Sequence, residues 1–277
     1  MNSKWTIVFL SIAIAVVSGC GREVISVGTA DELISAIGPN RTIELRPGIY
    51  DMGSVPQRQM KFVRWRKVFD GYELTVRDVA DLKLIGAGEA PQLLAKSRYA
   101  TVLSFDDCKG IALKNLVLGH TPEGYCTGGV VRMDKCVDVV IDKCDLFGCG
   151  IKGLELHDVA RVQFSNSIIR DCTYRILSVF GSFDIVFSNS KFIRNKEFGG
   201  FSFSDSRNIR LERCVIKDNR LTALKAELFS AVSCSDIVVS GCTITGNVYK
   251  KFIEPENSIR VVDTKVEGNS APPADAF

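Results

Sequence analysis

Carboxylates, cations and a histidine recur in this chain at one fixed interval. Arg132 and Glu155 lie 23 residues apart, and so do Asp134 and His157, and Lys152 and Arg175. A carboxylate beside a histidine is the pairing that general acid–base chemistry uses, and carboxylates flanked by cations suit acidic sugars. In a catalytic reading Glu155 or Asp134 is the acid or base, His157 is its partner, and Lys152 or Arg175 holds a substrate carboxylate. In a binding reading Arg132 and Phe180 are the contacts along which a polymer lies. The same residues also fit a ladder of opposite charges on a solvated sheet face, where stacking is favourable but contributes little. The turn over 119–126 opens with His120 and carries Glu123 and Tyr125, and is expected to overhang this patch as a long turn on a rigid scaffold. Two histidines and four methionines in the whole chain argue against a dedicated copper or zinc site. No cofactor is implied, and calcium has no support in the pattern.

The interval is set by a repeat that must position these side chains. Its clearest copy runs Asn208-Ile209-Arg210-Leu211-Glu212-Arg213-Cys214-Val215-Ile216-Lys217-Asp218-Asn219. Copies anchored at Leu82, Ile111, Val139, Val162, Ile185, Ile209, Ile237 and Ile259 are spaced 29, 28, 23, 23, 24, 28 and 22 residues. Within each copy apolar residues alternate at period 2, which excludes helices. Short strands repeated at this length stack as about eight coils of a parallel β-helix, with like positions ~4.8 Å apart on successive coils. Five residues past the anchor the column is mostly small: Leu116, Cys144, Ser167, Ser190, Cys214, Cys242, Thr264. Ten past it stand Thr121, Cys149, Cys172, Asn195, Asn219, Asn247 and Asn269. Asn at such a turn tolerates left-handed backbone and hydrogen-bonds along the stack. Seven and five residues before the anchor are outward columns, and these carry Arg132, Glu155, Asp134, His157 and Phe180.

Residues 1–19 pair Lys4 with an uncharged run from Thr6 to Val17, too short to be a comfortable membrane span. The run ends in Val17-Ser18-Gly19-Cys20, which resembles the bacterial lipoprotein signal box; an ordinary secretory signal is the alternative. The resemblance implies cleavage before Cys20, lipid on its thiol, and a place in the cell envelope, with Gly21 favouring the outer membrane. Membrane attachment is then through the lipid alone. Residues 20–269 form the β-helix domain and 270–277, with two prolines, a flexible tail. A formal net charge of +3 points neither to nucleic acid nor to a polyanion. In an exported chain disulfides are allowed. The repeat nevertheless places most cysteines in small, inward columns as reduced packing residues, although Cys108/Cys136, Cys149/Cys172 and Cys214/Cys242 are neighbours close enough to bridge.

Thr29-Ala30-Asp31-Glu32 is a capping box opening a short amphipathic helix that closes the N-terminal end of the stack. Between 57 and 68 Arg58, Lys61, Arg64, Arg66 and Lys67 interleave with Met60, Phe62, Val63 and Trp65. This run reads as an alternating strand with a solvated basic face, or as a surface for nucleic acid or anionic sugars.

The order helix, Thr42-Ile43-Glu44-Leu45-Arg46-Pro47-Gly48-Ile49-Tyr50, then coils resembles proteins with the pectin-lyase-like right-handed β-helix fold, from about Val24 to Asn269. The fold is specific and the function is not. The Asn-Thr-Asp, Gly-His-Gly and Arg-Ile-Lys motifs of polygalacturonase-type hydrolases are absent, apart from an isolated Asp106-Asp107. The acidic clusters of pectate lyases are absent as well. The resemblance is to the broad group of bacterial β-helix-repeat proteins. Two functions follow: a surface-anchored lipoprotein that binds or scaffolds polysaccharide or cell-surface glycan, and a lyase or hydrolase acting on an acidic polysaccharide.

Overall fold

The computed structural model describes residues 22–121, 127–148, 152–223 and 226–273. The leader with Cys20, the turn residues Glu123 and Tyr125, Cys126, Cys149 and the last four residues of the tail lie outside these. The chain winds as a parallel β-solenoid with three sheets as its faces. The first sheet runs from Glu23–Val27 to Arg260–Val262 and the second from Ile49–Asp51 to Lys265–Glu267. The third runs from the edge strand Val63–Val68 to Lys251–Glu254. Among the described residues seven turns pass through all three sheets with parallel pairing, beginning at Leu82, Lys109, Val137, Ala160, Phe183, Arg207 and Ser235. The count falls short of eight because the coil that starts at Arg41–Leu45 departs into a hairpin and the last one ends after its second strand.

One coil shows why the sequence bends where it does. Phe183–Ser188, Lys191–Ile193 and Gly199–Ser204 are joined at corners where Asn189, Arg194 and Asp205 have φ of 49°, 56° and 49°. Asn and Asp tolerate this left-handed region better than other side chains. The residue after each corner, Ser190, Asn195 or Ser206, turns inward and is buried. The left-handed residue is therefore the one before the Asn column, not the Asn itself. This frees the Asn side chains to stack: Asn195 N donates to Asn219 Oδ1 at 3.0 Å, Asn219 N to Asn247 Oδ1 at 3.1 Å, and Asn247 N to Asn269 Oδ1 at 2.9 Å. Serines and cysteines of the small columns do the same, with Cys144 N donating to Ser167 Oγ and Cys214 N to Cys242 Sγ. Every described cysteine carries a free thiol. Burial pushes the Cys144 and Cys172 thiols up to about 12, which suits inert packing groups.

Between the corners the alternation fills the core. Ile209, Leu211, Ile216, Phe201 and Phe203 are fully buried, while Glu212 and Lys217 face out. Phe201 stacks on Phe229 of the next coil and meets Phe192 of its own coil edge-on, with ring centroids 4.9 Å apart in both contacts. At the N-terminal end, helix Ala30–Ala36 seals this core with Leu33 and Ile34; Thr29 Oγ1 caps it by accepting from Glu32 N.

The basic run becomes the strand Val63–Val68, which pairs antiparallel with Gly71–Arg77; the latter joins Leu103–Asp106 in parallel. Val63 is buried, Trp65 is half-buried against the core, and Arg64 and Arg66 stand exposed on the outer face. The hairpin thus extends the third sheet beyond the repeat.

Candidate functional site

The outward positions of the third sheet hold the predicted cluster. In Val131–Asp134 these are Arg132 and Asp134, and in Lys152–His157 they are Glu155 and His157. The register sets Arg132 beside Glu155, Asp134 beside His157 and Lys152 beside Arg175. Glu155 is at the centre, with only 15% of its side chain exposed. One of its oxygens meets Lys152 Nζ; the other lies 3.6 Å from Arg132 Nε and 3.5 Å from His157 Nε2. Arg132 Nη2 also donates to Asp134 Oδ2 at 3.1 Å. The His157 separation is longer than the roughly 2.7–3.2 Å of an N–H···O hydrogen bond. Glu155 gathers Lys152, Arg132 and His157 around one carboxylate. His157 packs its ring against Phe180, centroids 5.8 Å apart, and Phe180 is nearly half exposed.

His120 is elsewhere. It ends the second-sheet strand Val117–His120, is 4% exposed, and its Nε2 lies 2.9 Å from the Ala100 carbonyl oxygen. Burial holds its imidazole below the ordinary range despite that carbonyl. The sequence placed it over the patch; the alternation at the strand end turns it inward instead. Arg175 keeps its place beside Lys152, with its guanidinium 5.7 Å from the Tyr174 ring centre.

The structure adds members that the repeat concealed. Glu73, 4% exposed on the hairpin strand, accepts from Thr101 N at 2.7 Å and from Arg66 Nη2 at 2.8 Å. A 190 Å³ cavity opens between Arg66, Glu73, Tyr99, Arg132, Lys152 and Glu155. A second, of 340 Å³, adjoins it across Arg66, Glu73 and Arg132 and reaches Arg64, Ser104 and Lys135. Together they are bordered by five cations and four carboxylates, an excess of one positive charge. Ser104 Oγ is buried in the wall and has no hydrogen-bond partner among the described residues. Ser104 lies in the column of Arg132 and Glu155, seven residues before the anchor Ile111, whereas Glu73 sits on the hairpin, where no repeated column identifies it. The signal that was available is the basic run itself, which carries Arg64 and Arg66. Among the described residues no group of three or more His, Cys, Asp or Glu side chains converges as a metal site.

Residues 105–271 match the family described as the right handed beta helix region. The chain belongs to that family. Among solved structures this β-helix is similar to the pectate lyase Pel9A, with 11% identity and a TM-score of 0.57 over 92% of this chain and 80% of that one. It is similar also to the pectin methylesterase from Aspergillus niger, 10% identical with a TM-score of 0.52, covering 94% and 88%. A pectate lyase (pelN) from Paenibacillus sp. 0602 aligns at 12% identity and a TM-score of 0.50, covering 89% and 78%. At such identities the likeness is one of fold. No curated protein sequence matches the chain. On the third sheet this groove is open and polar, and it is walled on one side by the hairpin that departs from the repeat.

Proposed function

We propose that this β-helix binds a polysaccharide in the third-sheet groove and is held at the bacterial envelope by lipid on Cys20. The observation that carries the reading is the way Arg66, Arg132 and Lys152 are fixed by Glu73 and Glu155 around one open cavity. Side chains held in place by neighbours present alternating donors and acceptors without losing freedom on binding, which is what hydroxyl-rich ligands reward. The single excess positive charge favours polymers that carry carboxylates over neutral ones, and it makes binding weaker as salt rises. The sequence box at Val17–Cys20 supports the anchor, and the fold shared with pectin-acting enzymes supports a glycan as the ligand. A binding role is favoured over catalysis because both oxygens of Glu155 already face cations and His157 stands outside hydrogen-bonding distance of it.

Titration against a panel of neutral and uronic-acid polymers tests the ligand. Saturable binding of acidic polymers without release of reducing ends or unsaturated products is the expected result, with at least a tenfold loss in Arg132→Ala. Turnover that disappears in Glu155→Gln and His157→Ala would replace the binding role with the lyase or hydrolase one. Labelled palmitate incorporated by the wild type and not by Cys20→Ser checks the anchor.

A further inference from the structure

Six large aromatic side chains stand exposed among the described residues: Phe69, Tyr72, Tyr99, Tyr174, Phe180 and Phe198. All six lie on the third sheet or in the loops that lead into its strands. Among the described residues the first and second sheets leave no ring exposed to that degree: Phe183 on the first and Phe147 on the second are half-buried, with the guanidinium groups of Arg207 and Arg170 over them. Apolar rings left in water on one face only mark a surface that another molecule covers.

Four of the six form two pairs. Phe69 and Tyr99 have ring centroids 5.1 Å apart, and Tyr174 and Phe198 4.8 Å apart. The first pair is held by Asp70, whose carboxylate accepts from Ser97 Oγ and from the backbone N–H groups of Arg98 and Tyr99. The second is held by the backbone, where Gly199 N donates to the Tyr174 carbonyl. Tyr99 lines the smaller cavity, and Tyr174 adjoins Arg175, the neighbour of Lys152. Three strand-to-strand steps separate Leu103–Asp106 from Arg175–Phe180, so Tyr99 and Tyr174, the facing members of the two pairs, stand about 14 Å apart along the solenoid axis.

We infer that the two aromatic pairs are sugar-stacking platforms at opposite ends of the groove, and that the ligand is a pyranose oligomer laid across the strands and long enough to touch both. The inference rests on the proposed binding role and names its ligand geometry. A pyranose ring offers an apolar C–H face that packs on an aromatic ring, and a rim of hydroxyls that needs donors and acceptors beside it. The surface alternates in the same way: rings at either end, ion-paired Arg66, Arg132 and Lys152 between. A protein partner would call for a continuous apolar centre with charges displaced to the rim, the reverse of this layout.

The test is calorimetric titration with size-graded oligomers of the best-binding polymer. Wild type is compared with Tyr174→Ala/Phe198→Ala, Phe69→Ala/Tyr99→Ala and Arg132→Ala, each checked for an unchanged melting temperature. Wild-type affinity should climb with oligomer length and level off once both platforms are reached. Each double variant should lose that gain, on the order of tenfold to a hundredfold for long oligomers, the scale of an aromatic stacking contact; short oligomers should bind Tyr174→Ala/Phe198→Ala as before, whereas Phe69→Ala/Tyr99→Ala, which takes Tyr99 out of the cavity wall, should weaken them as well. Arg132→Ala should weaken all lengths. If the length gain persists in both double variants while Arg132→Ala still weakens binding, the platforms are wrong and the groove stands. If Tyr174→Ala/Phe198→Ala weakens short and long oligomers alike, the platforms are again wrong. If no saccharide binds at all, the binding role falls and the platforms with it.

Discussion

Replacing Asn219 with Ala should be among the most damaging single changes in the solenoid, although it removes only one small polar group. The side chain is fully buried. Its Nδ2 donates to the Phe192 carbonyl at 2.9 Å and to Asn247 Oδ1 at 2.8 Å. Its Oδ1 accepts from Asn195 N at 3.0 Å and Asn195 Nδ2 at 2.9 Å. Four hydrogen bonds at a net ~0.5–1.5 kcal/mol each give ~2–6 kcal/mol, and the orphaned Asn195 N–H, sealed from water, keeps the loss in the upper part of that range. Asn269 provides the internal comparison. It accepts from Asn247 N and Nδ2 and donates to the Ile244 carbonyl, but it sits at the half-exposed end of the ladder. Water replaces much of what Asn269→Ala removes, so that variant should cost only ~1 kcal/mol. Urea melts of the two variants, read by circular dichroism, measure the difference through the midpoint at constant slope. Equal losses for the two would refute the argument that burial sets the value of this ladder. A loss for Asn219→Ala below ~1 kcal/mol would show that the thiol, hydroxyl and backbone ladders hold the corners without it.

Leu211→Ala should cost ~2–5 kcal/mol because the side chain is fully enclosed. The outward-facing neighbour in Glu212→Ala should cost under ~0.5 kcal/mol, as the same melts will show. Glu73→Gln keeps the shape of a buried acceptor but weakens its bonds to Thr101 N and Arg66; it should lower affinity for acidic polymers in titration while changing the melting temperature less than Glu73→Ala. Burial acts to raise the Asp171 carboxyl, but hydrogen bonds from Arg194 and Arg170 outweigh it and hold the group below the ordinary range. A group depressed in the folded state stabilises above its unfolded value of about 3.9 and loses that contribution as pH falls through the lower folded value. Asp171→Asn should therefore destabilise near neutral pH and make little difference in acid, as denaturant midpoints across that range will report.

The parts of this protein that the sequence determined are those written many times over. Ile209, Leu211 and Ile216 recur as the same alternation in coil after coil, and a one-residue error would turn every side chain over, so the register was legible from residue type alone. The same arithmetic placed Arg132 beside Glu155, Asp134 beside His157 and Lys152 beside Arg175, because parallel coils convert a 23-residue interval into adjacency. The ladder of Asn195, Asn219, Asn247 and Asn269 was legible as a column too, though its left-handed residue proved to be the preceding one. What only the tertiary structure decided are features that occur once. The hairpin Val63–Val68 with Gly71–Arg77 has no counterpart in other coils, so nothing in the repeat says that it pairs onto the third sheet or that Glu73 is buried under Arg66. His120 looked available because it opens a long turn, yet it is the inward residue at its strand end. The two aromatic pairs come from loops of unequal length, and Phe69 and Tyr99 are brought together only by Asp70 binding the backbone of a loop 28 and 29 residues away. Repetition makes contacts readable because each copy tests the same pairing; a contact made once, by loops closing in space, leaves no period in the chain.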